Sequence, residues 1–320
     1  MLIATLKSLP GEDICLQISL PNRRWSYLCD CGYASQLTIK DCKNTEGIFI
    51  SHTHLDHFSH FDTVFRHQLP VPRKVVISGP KGIAHHLQHK LLAYNWEALT
   101  VEDEAVFYEV REIVREGEIN IYELNAPLWH LNFLREYKSL EIYENEAISV
   151  KYRVLNHKID CIAYVFEEKP KIRLSEASPY PPGSWVSELK KAYKQKNKDA
   201  FIEIGQKKIR AETLFPYLSF EGGDKIAYVM DHLPSPENHQ KIIELCQGAD
   251  SLFIEAYFKH CELDLALHHH HSTAKLSGQV ARLAQAKQLF PVHFSRRYKG
   301  AEIEEIIAEC LESFKNAGEE

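Results

Sequence analysis

Ser51-His52-Thr53-His54-Leu55-Asp56-His57 decides the reading of this chain. Three histidines and an aspartate fall within six residues, directly after the apolar run Gly47-Ile48-Phe49-Ile50. That run has the short length and the β-branched and aromatic content of a buried strand. The cluster therefore stands where a strand ends and the chain turns. In extended backbone, residues two apart point to the same side, so His52 and His54 can face one divalent ion; a helix would put them on nearly opposite faces. Asp56 and His57 follow at once, and a turn can aim them at a second nearby point. Two imidazoles for one ion, then a carboxylate and an imidazole for another, form half of a two-metal site. The competing reading is a polar surface loop rich in histidine, and the later His and Asp residues weigh against it.

Those later residues also stand at strand ends. His157 follows the apolar-alternating run 150–155, Asp231 follows 226–230, and His293 follows 289–292. A two-metal site needs about six or seven ligands, and a carboxylate shared between two cations offsets their repulsion. Asp231, with two oxygens, suits that bridging place. Taken singly, each of the three could equally be a structural polar residue.

The 320 residues allow one large α/β domain or two smaller ones, with a substantial buried core. The hydrophobic fraction of 44% and charged fraction of 26% are those of an ordinary globular protein. A net charge of −6 excludes a polycation, so any nucleic-acid contact must come from a local basic patch. The N-terminus lacks the pattern of a signal peptide, and no stretch approaches the ~20 apolar residues of a membrane span. The eight cysteines are scattered, and Cys29-Asp30-Cys31 lacks a second pair to complete a thiolate zinc site. Reduced, packed thiols and a cytoplasmic location are expected.

Strands are expected at 2–6, 14–20, 25–29, 48–50 and 74–78, with helices at 56–68 and from the turn Gly79-Pro80-Lys81-Gly82 to about residue 93. Residues 105–164 read mostly as strands. The last third alternates strands at 226–230, 251–255 and 289–292 with helices at 237–247, 273–286 and 301–316. Two β-rich halves with helices between them are covered most simply by sheet packed on sheet with helices outside. Residues 167–223 do not fit that scheme. They hold Pro181-Pro182-Gly183, an amphipathic stretch from Trp185 to Tyr193, and eight basic residues against three acids across 188–210. Lys190, Lys191 and Lys194 belong to that excess, which reads either as a solvated helix face or as an arm that grips phosphates.

The H-x-H-x-D-H cluster with a later His, Asp and His resembles the metallo-β-lactamase superfamily, and within it the ribonuclease Z family of tRNA 3′-processing endonucleases. Asp30-Cys31-Gly32, with Gln36-Leu37 after it, resembles that family's D-C-G-E-G-T-Q-x-x-L. Gly79-Pro80-Lys81-Gly82 resembles its G-P-x-G turn, and His157 precedes Ala163-Tyr164-Val165 as the family's ligand His precedes its G-Y-R. Pro181-Pro182-Gly183 resembles the P-P-G-P-L of its substrate arm. Glu255-Ala256 resembles E-A-T-F, His271-Ser272-Thr273-Ala274 resembles H-S-T-A, and His293-Phe294-Ser295-Arg296-Arg297-Tyr298 is close to H-F-S-x-R-Y. The resemblance runs from Asp30 to Tyr298. The chain departs from the family after His57, where a glycine-rich F-G-L-P-G-L-L is replaced by Phe58-Ser59-His60-Phe61-Asp62-Thr63-Val64-Phe65. It departs again around the bridging aspartate, where G-D-T is replaced by Met230-Asp231-His232, and in the arm, where Ser184-Trp185 follow the glycine.

The resemblance implies a single αββα metallo-β-lactamase sandwich over 1–320, two sheets face to face with helices outside, and 167–223 as an inserted substrate arm. It implies two divalent ions. His52, His54 and His157 would hold one, Asp56, His57 and His293 the other, with Asp231 between them. Zinc suits the imidazoles, with manganese and magnesium as alternatives. The implied reaction is removal of the 3′ trailer of precursor tRNA by a hydroxide held between the metals. Asp56 would also orient that nucleophile, and His271, oriented by Glu255, would serve the leaving oxygen. Arg296 and Arg297 are natural phosphate clamps. A homodimer is implied as well. The alternative is a hydrolase of the same fold acting on a small phosphodiester or another nucleic acid. His268, His269 and His270 are read as incidental.

Overall fold

Ser26–Cys29 is a strand with every residue buried, whereas Phe107–Arg115 buries alternate residues along most of its length. The computed structural model describes residues 1–316. Eight strands form the first sheet in chain order: β1 (Ile3–Leu6), β2 (Leu16–Ser19), β3 (Ser26–Cys29), β4 (Thr45–Phe49), β5 (Lys74–Pro80), β6 (Phe107–Arg115), β7 (Glu118–Asn125) and β8 (Asn132–Lys138). Strands β3 to β6 run parallel and the others antiparallel. Helices α1 (Ile39–Asn44), α2 (Leu55–Phe58), α3 (Phe61–Gln68) and α4 (Ile83–Leu92) lie in the connections.

The second sheet begins with β9 (Glu141–Glu144), β10 (Ile148–His157) and β11 (Ile159–Glu168). A smaller unit, residues 168–223, interrupts it, and is compact in its own right. It contains two hairpin-like pairs, β12 (Lys171–Leu174) with β15 (Leu218–Glu221) and β13 (Phe201–Ile204) with β14 (Lys207–Arg210), and helices α5 (Trp185–Lys194) and α6 (Ala211–Leu214). Trp185, Val186, Leu189, Ile202, Leu214 and Leu218 form its own apolar core. The second sheet then resumes with β16 (Lys225–Val229), β17 (Ser251–Glu255) and β18 (Leu289–Val292), which are parallel to one another and give the order β18-β17-β16-β11-β10-β9. Helices α7 (Pro236–Cys246), α8 (Leu263–His269), α9 (Ala274–Leu283) and α10 (Ala301–Lys315) belong to this half.

Three apolar layers place the sheets. Leu16, Ile18, Tyr27 and Phe49 of the first sheet pack with Val150, Tyr164, Phe166 and Tyr228 of the second, so the main core lies between the two sheets. Ile242, Val280, Ala281, Ile306 and Cys310 cover the outer face of the second sheet; Phe61, Val64, Ile83 and Leu87 cover that of the first. The larger unit is thus a metallo-β-lactamase αββα sandwich. Helices α9 and α10 meet closely at Gly278, where a Cβ would stand 2.2 Å from the Cys310 carbonyl oxygen.

One expected element divides. Residues 56–68 form two helices, α2 and α3, and not one. The His60 N–H donates to the Cys31 carbonyl at 2.8 Å, and the Cys31 N–H donates to the His57 carbonyl at 2.8 Å. A tertiary partner at Cys31 thus takes the hydrogen bond that a continuous helix would have used. Among the described residues no helix is long and apolar enough to cross a membrane.

Candidate metal centre

Strand β4 ends inside the core, and residues 50–57 carry the chain along the end of the sandwich. His52 is fully buried. His54 is the N-cap of α2 with extended backbone angles, and its ring centroid lies 4.4 Å from that of His52. Asp56 and His57 occupy the first turn of α2. The other residues come from strand ends of the second sheet. His157 closes β10, Asp231 follows β16, Glu255 closes β17 and His293 follows β18 in a left-handed conformation with φ 57°. Parallel register sets Glu255 opposite Val292, so Asp231, Glu255 and His293 leave three neighbouring strands at the same end.

Asp231 is the centre of the arrangement. Its Oδ2 lies 3.6 Å from His52 Nε2 and 3.4 Å from His157 Nε2; its Oδ1 lies 3.6 Å from His57 Nε2 and 3.0 Å from His293 Nδ1. Asp56 Oδ2 is 3.4 Å from His293 Nε2 and 3.8 Å from His57 Nε2. Three overlapping donor groups result: His52, His54, His157 and Asp231; Asp56, His57 and His293; and Asp231, Glu255, His271 and His293, the last with both Glu255 oxygens taken by protein donors. His52 Nε2, His57 Nε2 and Asp231 Oδ1 are buried and have no hydrogen-bond partner among the described residues. Buried nitrogen lone pairs and a carboxylate oxygen left unsatisfied cost free energy, and a divalent cation between them removes that cost. The donor set, imidazole and carboxylate, fits such an ion.

The charge balance agrees. Burial holds His52, His54 and His157 below the ordinary imidazole range, as neutral ligands require. At His57 and His293 burial also favours the neutral form, but Asp231 and the other carboxylates overcome it and raise both. Burial would raise Asp56 and Asp231, yet the surrounding imidazoles hold both below the usual carboxylate range. The carboxylates thus favour positive charge beside Asp231, which either protons on His57 and His293 or a bound cation supplies.

A set of supports stands behind these donors. Asp30, fully buried at the end of β3 with φ 57°, accepts from His57 Nδ1 at 2.8 Å, Ser51 Oγ at 2.7 Å, the Ser51 N–H at 2.6 Å and Tyr228 OH at 2.7 Å. The His270 carbonyl accepts from His157 Nδ1 at 2.7 Å. His270 is left-handed at the C-cap of α8 and so is structurally engaged through its backbone, which its place in a histidine run does not suggest. Glu255, fully buried, receives His271 Nδ1 at 2.8 Å on Oε2 and the N–H groups of His232 and Ser272 at 2.8 and 3.1 Å on Oε1. Both its oxygens are thereby committed to protein donors. Burial would raise Glu255, but His271 and His232 hold it below the carboxylate range. His232, at the position where the family has threonine, also brings Nδ1 to 3.1 Å from Glu255 Oε1. The Tyr257 ring lies flat against His271, centroids 3.7 Å apart. Asp30, His232 and Tyr257 stand behind the donors, although no ligand motif in the sequence marks them. For Asp30 a signal existed: an acidic residue at the end of an apolar strand, as for Asp231.

Not every expected site residue lies in this cluster. Arg296 and Arg297 follow His293, and each is held by a carboxylate: Arg296 by Asp13 and Arg297 by Glu262, the latter at 3.1 Å. Lys190, Lys191 and Lys194 belong to the smaller unit, on α5, whose apolar face carries Trp185, Val186, Leu189 and Ala192. Of the eight basic residues across 188–210, Lys198, Lys208 and Arg210 pair with acids of the same unit. Lys190, Lys191 and Lys194 make no ion pair among the described residues.

No protein-family model matches the chain. Among curated proteins, ribonuclease Z of Deinococcus radiodurans is 27% identical over 327 aligned positions, spanning 96% of this chain and 94% of that protein. Among solved structures, the metallo-β-lactamase fold protein YhfI of Bacillus subtilis superposes with a TM-score of 0.56 at 12% identity, covering 98% of this chain and 93% of that one. The short form of human tRNase Z gives 0.55 at 17%, covering 93% and 94%.

Proposed function

We propose that this chain, which has the metallo-β-lactamase fold and resembles ribonuclease Z along nearly its whole length, is a two-metal endoribonuclease that removes the 3′ trailer of precursor tRNA. The observation that carries the reading is the division of Asp231, one oxygen toward His52 and His157, the other toward His57 and His293. A carboxylate placed between two separate imidazole sets is what a pair of neighbouring cations requires. His52, His54 and His157 would hold one ion, Asp56, His57 and His293 the other, and zinc suits these ligands best. Bound there, the ions would supply Lewis-acid charge and lower the pKa of a coordinated water.

The chain's own groups have distinct parts. Asp56, at the edge of the pocket, accepts a proton from the attacking water or orients it. His271, fixed by Glu255 and packed on Tyr257, is placed to give a proton to the leaving 3′ oxygen. The smaller unit, 168–223, is the arm that holds the body of the tRNA through Lys190, Lys191 and Lys194, and Arg296 and Arg297 clamp phosphates nearer the cut. The protein acts as a homodimer in the cytoplasm; its eight free cysteines, seven of them buried, suit a reducing compartment.

Purified protein assayed on precursor tRNA, with and without a 3′ CCA, beside bis(p-nitrophenyl) phosphate tests the reading. Trailer release is the expected result; hydrolysis of the small ester without any cleavage of precursor tRNA would sink it. Elemental analysis should give about two metal ions per chain. Bound metal should fall as pH drops below about 6, because imidazole must be neutral to coordinate. Well under one ion per chain, with no gain on adding zinc or manganese, would refute the centre.

Asp30→Ala should weaken metal binding roughly 10- to 100-fold, because it frees the far nitrogen of His57 and unpairs Ser51 and Tyr228. Competition with a chelator measures this. An unchanged affinity in a folded variant would mean that Asp30 serves packing alone.

A further inference from the structure

Two departures from the ribonuclease Z pattern come together in space beside the ligand-bearing turn. Tyr33 stands where the family's D-C-G is followed by Glu, and His60 stands in the stretch that replaces its glycine-rich loop. Their rings meet edge to face, centroids 5.3 Å apart and planes at 88°. Their backbones are tied to the ligand-bearing turn. The His60 N–H reaches the Cys31 carbonyl, the Cys31 N–H reaches His57, and Gly32 lies so close that a Cβ there would be 2.0 Å from the Asp56 carbonyl oxygen. Tyr33 is therefore one residue from backbone in contact with Asp56, yet it is 51% exposed. A tyrosine braced at a right angle by a second ring, with half of its surface still in water, offers room for something flat.

A cation stands beside it. Asp13 accepts from the Tyr33 N–H at 3.1 Å through Oδ2 and pairs with Arg296 through Oδ1. One carboxylate thus fixes both the backbone of Tyr33 and the guanidinium of Arg296. Arg296 keeps 70% of its side chain exposed, leaving donors free for a phosphate. Aromatic face and guanidinium on one anchor, beside a candidate metal ligand, form the pair of contacts that a single nucleotide offers: base and phosphate.

Resting on the phosphodiesterase reading above, we infer that Tyr33, backed by His60, stacks on the base of a nucleotide flanking the scissile phosphate while Arg296 holds that nucleotide's other phosphate. The subsite serves unpaired RNA, whose bases are free to stack. It reads the presence of a base more than its identity, because every base has a π-face. This accounts for the paired departures: a ring at 33 gains a wall only if position 60 also carries one.

The test pairs protein and substrate changes. Wild type, Tyr33→Phe, Tyr33→Ala and Arg296→Ala are compared on precursor tRNA and, by equilibrium binding, on a single-stranded RNA hexamer. Each RNA is made intact and with one abasic nucleotide on either side of the cut or of the hexamer centre. Tyr33→Ala should raise KM and the hexamer Kd about tenfold on intact RNA, with bound metal unchanged, and Tyr33→Phe should match wild type. The abasic substitution should cost wild type the same factor and Tyr33→Ala nothing further. Additive losses at both abasic positions, or no loss on the intact hexamer, would overturn the subsite. Failure of wild type to cleave precursor tRNA, with the hexamer effect intact, would instead count against the trailer-removing function.

Discussion

Asp231→Ala and His54→Ala are each expected to lower hydrolysis of every substrate, precursor tRNA and small ester alike, by at least about a thousandfold, or roughly 4 kcal/mol of barrier. The two residues fail for different reasons. Asp231 faces both imidazole sets, so its loss leaves four histidines around an uncompensated hole and should remove both ions. His54 belongs to one donor group and is exposed, so its loss should empty that group while the fold stands. Metal content and rate are measured together. Near-normal rates with both ions bound in either variant would show that the donor set is wrongly assigned.

The second large effect concerns the basic unit. Its apolar core draws on Trp185, Ile202, Leu214 and Leu218 together, so a deletion of 181–210 would strip Trp185, Val186, Leu189, Ala192 and Ile202 from that core and leave the rest of it open. The excision should instead take residues 168–223 whole. Strands β11 and β16 are antiparallel with Glu167 opposite Lys225, so a short turn can join them. The excised protein should keep its hydrolysis of bis(p-nitrophenyl) phosphate and lose most of its affinity for precursor tRNA. The salt dependence of tRNA binding should flatten, by about 0.7–0.9 in slope for each phosphate contact removed. Equal losses on both substrates would make the unit structural. An unchanged KM for precursor tRNA would mean that the lysines of α5 are an ordinary solvated face.

What could be read from the chain beforehand follows the range of the interactions involved. The candidate ligands were visible because each stands at the end of a short apolar run, and in a sheet of parallel strands such ends converge. His157, Asp231 and His293 each stand at such an end. Asp30 stands at a strand end too, but what gives it meaning is His57, on a different strand's exit, together with Tyr228 of the opposite sheet. Its place at a strand end is the one local sign, and the partners that make it a support lie far off in sequence. The break between α2 and α3 has the same origin. Helical periodicity continues through Ser59 and His60, and it is the Cys31 backbone that interrupts it. In residues 167–223 the charge is legible and the small apolar core is not, because Trp185, Ile202, Leu214 and Leu218 are far apart in sequence and come together only on folding.

Gly32 carries one more consequence. With the Asp56 carbonyl occupying the place of a side chain, any larger residue at 32 must displace the ligand-bearing turn. The neighbouring position is under no such constraint, since Tyr33 is half exposed and its ring meets only the His60 ring among the described residues. The boundary between what is frozen and what is free to drift thus falls between two consecutive residues. Substitutions on one side erase the chemistry, and on the other they only choose which molecules are presented to it. A lineage can therefore explore new substrates at residue 33 without first losing its hydrolytic centre, and a designer seeking altered specificity should randomise 33 and 60 jointly while holding 32 fixed.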